Sequence, residues 1–267
     1  MTQILVNNSF SVVILQKTNT MALSKNQIKN ITSLHLKKHR EESGHFIVEG
    51  EKITIELLSQ QRYKIIGIYA LEKWIEKNKA LIISADFPIY LCSSNDMERI
   101  SILKNATEVI TILEIPKQNT ANVNNKQNLI LENIQDPGNL GTIIRTADWF
   151  GIENIFCSPD TVELYNPKVI QATMGSFLRV NVYYTDLEKI ITDYNYIPKY
   201  TAVLNGQNAF EISFPSEMFL LIGNEGKGLS SKILSYTNIA VSIPKFGQAE
   251  SLNAAIATAI LLSKLKM

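Results

Sequence analysis

The chain is poor in the groups that would force a specialised reading. Cysteine is scarce: 2 in 267 residues, Cys92 and Cys157, each inside an apolar, strand-like run. Two such thiols build no disulfide framework. They are expected to be buried and reduced, as in a cytoplasmic protein. Histidine is nearly as scarce: His35, His39 and His45 are the full set. His35 and His39 stand one helical turn apart, but no third ligand follows at useful spacing and no HExxH occurs, so no metal is expected. No apolar run is long enough to span a membrane, and the leading MTQILVNNSFSVVILQKTNT lacks the basic start and small-residue cleavage site of a secretory signal. An excess of one charge is missing too. Lys and Arg number 26 against 25 Asp and Glu, so the overall charge does not announce a nucleic acid. Only one stretch is biased: Lys25, Lys29, Lys37, Lys38 and Arg40 lie between Ser24 and Arg40 with no acid among them. A solvated helix face and a nucleic-acid contact account for that run equally well.

What is present is a globular balance, 45% apolar and 19% charged, with length for one large or two ordinary domains. Residues 117–127 (KQNTANVNNKQ) are polar, Asn-rich and without apolar period, which is linker composition. They divide the chain into a front domain, 21–116, and a back domain, 128–267. Residues 1–20 are expected to be a peripheral extension, because the pattern ALSKNQIKNITSLHLKKHR already reads as the start of a domain. The front domain alternates strand candidates (46–48, 64–70, 89–92, 108–115) with helix candidates (51–60, 71–78, 94–103), which predicts a small α/β layer structure. The back domain alternates more regularly. Strands are predicted at 129–132, 154–157, 179–184, 200–204, 218–222 and 239–243. Helices are predicted at 139–150, 167–174, 187–193, 230–236 and 249–266. Continuous apolar strands such as FLLI point to a mostly parallel sheet covered on both faces.

Three segments of the back domain share one plan: an apolar strand, a Gly/Pro/Asn-rich turn, then a helical pattern. They are Asn128–Gly151, Leu220–Ser230 and Val241–Leu262. Such turns bring bare backbone close to a ligand. In the first, Asp136 reads as a helix cap and Pro137 as the first turn, and nothing in that account needs Arg145. The second, Gly223-Asn-Glu-Gly-Lys-Gly-Leu-Ser230, fails as a phosphate loop, because Gly228 rather than Ser or Thr follows Lys227. Alone, Glu225 reads as a solvated turn carboxylate beside Lys227. In the third, Ser251 reads as a helix cap. No GxGxxG follows an early strand, which argues against a dinucleotide enzyme.

Taken together, DPGNLGTIIRTA, LLIGNEGKGLS and SIPKFGQAESLNAA resemble the three signature motifs of the SpoU (TrmH) family of RNA ribose 2'-O-methyltransferases, in the SPOUT superfamily. NPKVIQATMGS (166–176) resembles the family's segment between its first two motifs. Ser24–Gly50 is similar to its substrate-binding domain, with departures at Gln27 and at Ala106–Thr107–Glu108. The resemblance implies an α/β fold: a knotted, mostly parallel-sheet methyltransferase domain (a trefoil knot) preceded by a small ribosomal-protein-like α/β RNA-binding domain. It implies S-adenosyl-L-methionine as methyl donor, held by main-chain groups of Gly223, Ile243 and Leu252 with Asn205 and Gly206 beside them. It implies a catalytic set of Asn139, Arg145, Glu225, Ser251 and Asn253, with Glu225 holding Arg145. The partners it implies are RNA, ribosomal RNA ahead of transfer RNA, and a second copy of the chain in a homodimer. A non-catalytic RNA-binding protein that keeps the fold is the rival reading.

Overall fold

The computed structural model describes residues 23–266 apart from Gln61 and Asn238, so the expected extension at 1–20 lies outside the described residues. The chain forms two compact units that divide after Pro116.

In the first unit, Ser24 opens α1 (Lys25–Ser33) with a capping box. Its hydroxyl takes the Gln27 N–H at 3.2 Å, and Gln27 Oε1 takes the Ser24 N–H at 2.9 Å. Gln27 therefore has a local job at the position where the family pattern is broken. α2 (Lys37–Ser43) stops at Gly44, whose φ of 68° is left-handed. There follow β1 (His45–Glu49), α3 (Glu51–Leu58), β2 (Ile65–Leu71), α4 (Glu72–Lys77), α5 (Lys79–Ile82), β3 (Ile89–Cys92), α6 (Ser94–Ile100) and β4 (Val109–Glu114). The sheet order is β1-β4-β2-β3, with β4 antiparallel to both neighbours and β2 parallel to β3. Apolar side chains cover both faces, Ile31, Met97 and Ile110 on one and Trp74, Ile89 and Val109 on the other.

The same unit seals charges inside. Arg40 is 1% exposed and donates from Nη1 to the Leu34 carbonyl at 2.6 Å. Glu49 is 5% exposed and accepts from the Ser101 hydroxyl at 2.5 Å and the Ile102 N–H at 3.0 Å. The basic run is thus largely local: Arg40 is buried, and Lys37 and Lys38 face Glu41 and Glu42 one turn on. Only Lys25 and Lys29 in that run stand exposed with no carboxylate partner among the described residues.

The second unit contains β5 (Gln127–Leu131), α7 (Pro137–Trp149), β6 (Asn154–Cys157), α8 (Pro167–Thr173), β7 (Asn181–Tyr184), α9 (Leu187–Asp193), β8 (Lys199–Asn208), β9 (Met218–Ile222), α10 (Ser231–Leu234), β10 (Ile239–Ser242) and α11 (Ala254–Leu265). Its six-stranded sheet has the order β10-β8-β9-β5-β6-β7, and every neighbouring pair is parallel. The central strand β9 is buried along its whole length, as the unbroken apolar run MFLLI requires. The chain winds outward from β5 through β6 to β7, then crosses over, and β9 lands between β8 and β5. That reversal lies between β9 and β5, and ligands of such sheets bind beyond the carboxyl ends of the strands at such a point.

Two sequence expectations change. The segment 117–127 is free over its first part only. Val123 is 2% exposed in the core, Asn154 Nδ2 donates to the Asn122 carbonyl at 2.9 Å, and the Asn125 N–H reaches Glu217 at 2.6 Å. An amide ladder continues across three strands: Asn154 Nδ2 to Asn128 Oδ1 at 2.9 Å, and Asn181 Nδ2 to Asn154 Oδ1 at 3.2 Å. Polar composition hid this, because asparagine side chains rather than apolar contacts do most of the tying. The last helix begins at Ala254, not 249, and its cap is Asn253 rather than Ser251. Asn253 Oδ1 takes the N–H groups of Ala255 at 2.9 Å and Ile256 at 3.2 Å. Both thiols are free and buried, and burial pushes Cys92 up to about 12 and raises Cys157 further.

Candidate active site

The loop after β5 starts α7 as its sequence demands. Asp136 Oδ1 takes the Asn139 N–H at 2.8 Å, and Pro137 occupies the first turn. Leu140, Gly141, Ile143, Ile144 and Ala147 face inward. Gly141 has no alternative, since a Cβ there would sit 2.4 Å from the Ala172 Cβ on α8. Asn139 is left in the first turn of α7, beyond the carboxyl end of β5.

The loop after β9 is locked from both sides. The backbones of Asn224 and Gly228 exchange hydrogen bonds at 3.2 and 2.8 Å. A Cβ on Gly223 would fall 2.3 Å from the Gly228 carbonyl carbon, so this hairpin closes only over glycine. Asn224 Oδ1 accepts from the N–H groups of Gly226 and Lys227, and its Nδ2 donates to the Asn133 carbonyl at 2.9 Å. Glu132 takes both the N–H and the hydroxyl of Ser230 at 2.7 Å. The loops after β5 and β9 are therefore one rigid piece, and Glu225 projects from it.

Three residues expected in the catalytic set meet there. Asn139 Nδ2 donates to Glu225 Oε1, and Asn253 Nδ2 donates to Asn139 Oδ1 at 2.8 Å. These links join positions 86 and 114 residues apart. Asn253 thus braces two elements at once: one end of its amide caps α11 and the other holds α7.

The remaining expected residues are not drawn into that chain. Arg145 is exposed on α7, on a stripe with Thr142 and Trp149, and its side chain has no hydrogen bond or ion pair with another described residue. Within one chain Glu225 is held by Asn139, not by Arg145. Ser251 and Leu252 are exposed in the irregular segment between β10 and α11. Residues 243–252 make no hydrogen bond to any other described residue. Of the expected cofactor positions, Gly206 packs on β10, the strand that leads into Ile243. The register of β8 on β10 jumps from Thr201 to Gln207, and the skipped residues include Asn205 and Gly206. The Gly206 Cα lies so close to the Ala240–Val241 backbone that a Cβ would be 2.7 Å from it. Ser242 Oγ donates to the Gly206 carbonyl at 2.9 Å. Gly223 is half-buried at the exit of the neighbouring strand β9.

Sequence reasoning missed Glu132 and Asn133. Asn133 is left-handed, with φ 57°, and offers its carbonyl to Asn224. Their partners lie 98 and 91 positions away, a distance over which no local pattern speaks.

Residues 126–263 match the SpoU rRNA Methylase family, and residues 25–111 match the MRM3-like substrate binding domain. The chain is 30% identical over 250 residues to the 23S rRNA (guanosine(2553)-2'-O)-methyltransferase RlmP of Bacillus subtilis (strain 168), covering 91% of this chain and 97% of that protein. Among solved structures it is similar to a TrmH-family protein from Porphyromonas gingivalis, with TM-score 0.81, 33% identity and coverage of 91% and 98%. It is also similar to an AdoMet-bound rRNA methyltransferase from Sinorhizobium meliloti, with TM-score 0.80, 28% identity and coverage of 91% and 95%. The match takes in all three loops that Glu225, Asn139 and Asn253 tie together, and the chain belongs to the SpoU rRNA methylase family.

Proposed function

We propose that this protein transfers a methyl group from S-adenosylmethionine to a ribose 2'-hydroxyl of structured RNA, and that the RNA is ribosomal. The hydrogen-bonded chain Glu225–Asn139–Asn253 carries the reading, because it turns three distant sequence motifs into one site. A 2'-hydroxyl acceptor makes the substrate RNA rather than DNA. Ribosomal RNA is favoured over transfer RNA because the relative named for 23S rRNA methylation is matched over both units.

The residues present fit the cofactor. A neutral adenine edge needs main-chain donors and acceptors, and residues 243–252 leave theirs unused among the described residues. Gly223, Ile243 and Leu252 would hold it, with Asn205 and Gly206 alongside. When bound, S-adenosylmethionine supplies a methyl group on a sulfonium, already a good leaving group. The protein's task is then to place and activate a weak nucleophile.

Each side chain's free hydrogen-bonding capacity sets its role. Asn139 has given one N–H to Glu225 and one lone pair to Asn253, so one donor and one acceptor remain to orient the ribose. Asn253 keeps one N–H, and the exposed Ser251 hydroxyl is uncommitted; both are placed to bond a phosphate or the polar end of the cofactor. Arg145 is a permanent cation and therefore a poor base. It grips the phosphate next to the target ribose and polarises the hydroxyl, whose proton leaves to that phosphate or to solvent.

The same reading includes a homodimer. α11 is apolar nearly all round, yet Ile256 is 50% exposed, and α7, which packs on it, leaves Trp149 84% exposed. A helix of that composition belongs in an interior. A second copy would cover both helices and bring its own Glu225 towards Arg145. A knot formed by threading α11, and a cytoplasmic location, complete the proposal. The front unit would deliver the RNA, with Lys25 and Lys29, unpaired among the described residues, as contacts from its basic run.

Mapping 2'-O-methyl sites in total RNA with and without the gene tests activity and substrate together. One ribosomal site that vanishes with the gene is the expected result. An unchanged map, with RNA still bound, would return the reading to an RNA-binding protein without transfer.

A further inference from the structure

One side chain beside the site has no role in the fold. Phe246 is 97% exposed, three residues beyond Ile243 and within the segment that makes no hydrogen bond to other described residues. That segment is held at both ends, by β10 and by Asn253 on Asn139. The ring is therefore carried by a segment that runs from β10 into the site. Its neighbours are the exposed cation Lys245, unpaired among the described residues, then Gly247 and Gln248.

We propose that Phe246 is the stacking platform for a base of the target RNA, with Lys245 meeting the adjoining phosphate. This rests on the ribose-methylation reading above and names how the substrate is positioned. In-line attack requires the target ribose to enter the site, which pulls its base out of the RNA stack. An aromatic face replaces the missing neighbour whatever the base, and a cation beside it follows the backbone. A protein interface would want a contiguous apolar patch with lysine at its rim. Here the ring stands between a lysine and a glycine, so RNA is the better occupant than a second copy of the chain.

The test compares Phe246→Ala and Phe246→Trp with wild type in the full-length protein. Four quantities are read: KM for RNA, kcat at saturating RNA, S-adenosylmethionine affinity by calorimetry, and mass by sedimentation. The proposal expects Phe246→Ala to raise KM for RNA by about tenfold or more while kcat, cofactor affinity and mass hold, and Phe246→Trp to restore KM. An unchanged KM overturns it. So does a loss of cofactor affinity, which would put the ring against the donor, or a fall to monomer mass, which would put it against a second copy. Should wild type transfer no methyl at all, the functional reading fails on its own. Binding of a single-stranded RNA oligomer, followed by anisotropy, then still decides Phe246 by whether Phe246→Ala weakens it.

Discussion

The two units bury polar groups with different emphasis. The front unit seals charges: Arg40 and Glu49 are almost fully enclosed and hold backbone that runs between helices and strands. The back unit also encloses Lys199, whose Nζ donates to the Tyr194 carbonyl at 2.5 Å, but it ties both edges of its sheet with neutral amides. Asn128, Asn154 and Asn181 ladder across the amino-terminal edge, and Asn139 and Asn253 join loops at the carboxyl edge. A buried charge ties stability to pH, whereas an amide does not titrate. The difference teaches that the catalytic edge is tied by neutral amides working beside carboxylates, Glu132 on Ser230, Asp136 on the Asn139 N–H and Glu225 on Asn139, while Arg145 stands apart from Glu225 within one chain.

The largest effect expected is on Arg145. Arg145→Ala should lower kcat/KM for methyl transfer by about a hundredfold or more, the size of removing one interaction made in the transition state. Because the side chain is exposed and unpaired among the described residues, unfolding free energy should stay within about 0.5 kcal/mol. Activity and denaturant midpoint measured on the same sample decide it. If both fall together, the guanidinium belongs to the scaffold and the division between framework amides and working charges collapses.

Next comes the ladder at the opposite edge. Asn154→Ala strips partners from Asn128 Oδ1, the Asn122 carbonyl and Asn181 Nδ2. Each buried group left unmade costs about 1–3 kcal/mol, and relaxation recovers part of it. A loss of about 2–4 kcal/mol in urea unfolding is expected, with little change in kcat for the protein that remains folded. Asn139→Ala should do the reverse, cutting kcat more than stability. Equal effects from the two variants would show that the edges are not specialised.

A smaller effect separates the units by pH. Burial raises the Glu49 carboxyl above the usual range, against the lowering effect of the Ile102 N–H and the Ser101 hydroxyl. The folded state therefore binds this proton more tightly than the unfolded state. Its contribution is greatest below the unfolded value of 4.5 and is lost as pH rises through the folded value. Thermal unfolding of wild type minus Glu49→Gln should show that slope just above pH 4.5, and a flat difference would remove the titrating charge from the front unit's account.

How far the sequence reached follows from the same contrast. Apolar runs such as MFLLI and the Asp136–Pro137 start of α7 were legible, because strand burial and helix capping are local. The meeting of Asn139, Glu225 and Asn253 was legible only through the family resemblance. The start of α11 was misplaced because Ser251 and Asn253 are both good caps, and only the partner of Asn253 on α7 decides between them. Glu132 and the asparagine ties of 122–128 gave no signal, since their partners are remote and their composition is that of a loop.

The weakest effect sits in the basic run of the front unit, where composition left a solvated helix face and a nucleic-acid contact equally open. Lys37 and Lys38 lie in the first turn of α2, where the helix dipole disfavours cations, and each precedes its glutamate, the poorer order for such pairs. Both pairs are solvent-exposed, so Lys37→Ala should change stability by less than about 0.5 kcal/mol, and the direction can be towards greater stability. With a carboxylate already beside it, Lys37 has little field left for a phosphate, and RNA affinity should be almost unchanged. Lys25 and Lys29 have no such partner among the described residues, so Lys25→Ala should weaken RNA binding. It should also reduce the slope of log K against log salt by about 0.7–0.9, the signature of one fewer phosphate neutralised. A salt titration of both variants separates them. Equal slopes would mean that the local ion pairs do not set which lysines face RNA, and that the run acts as one diffuse charge after all.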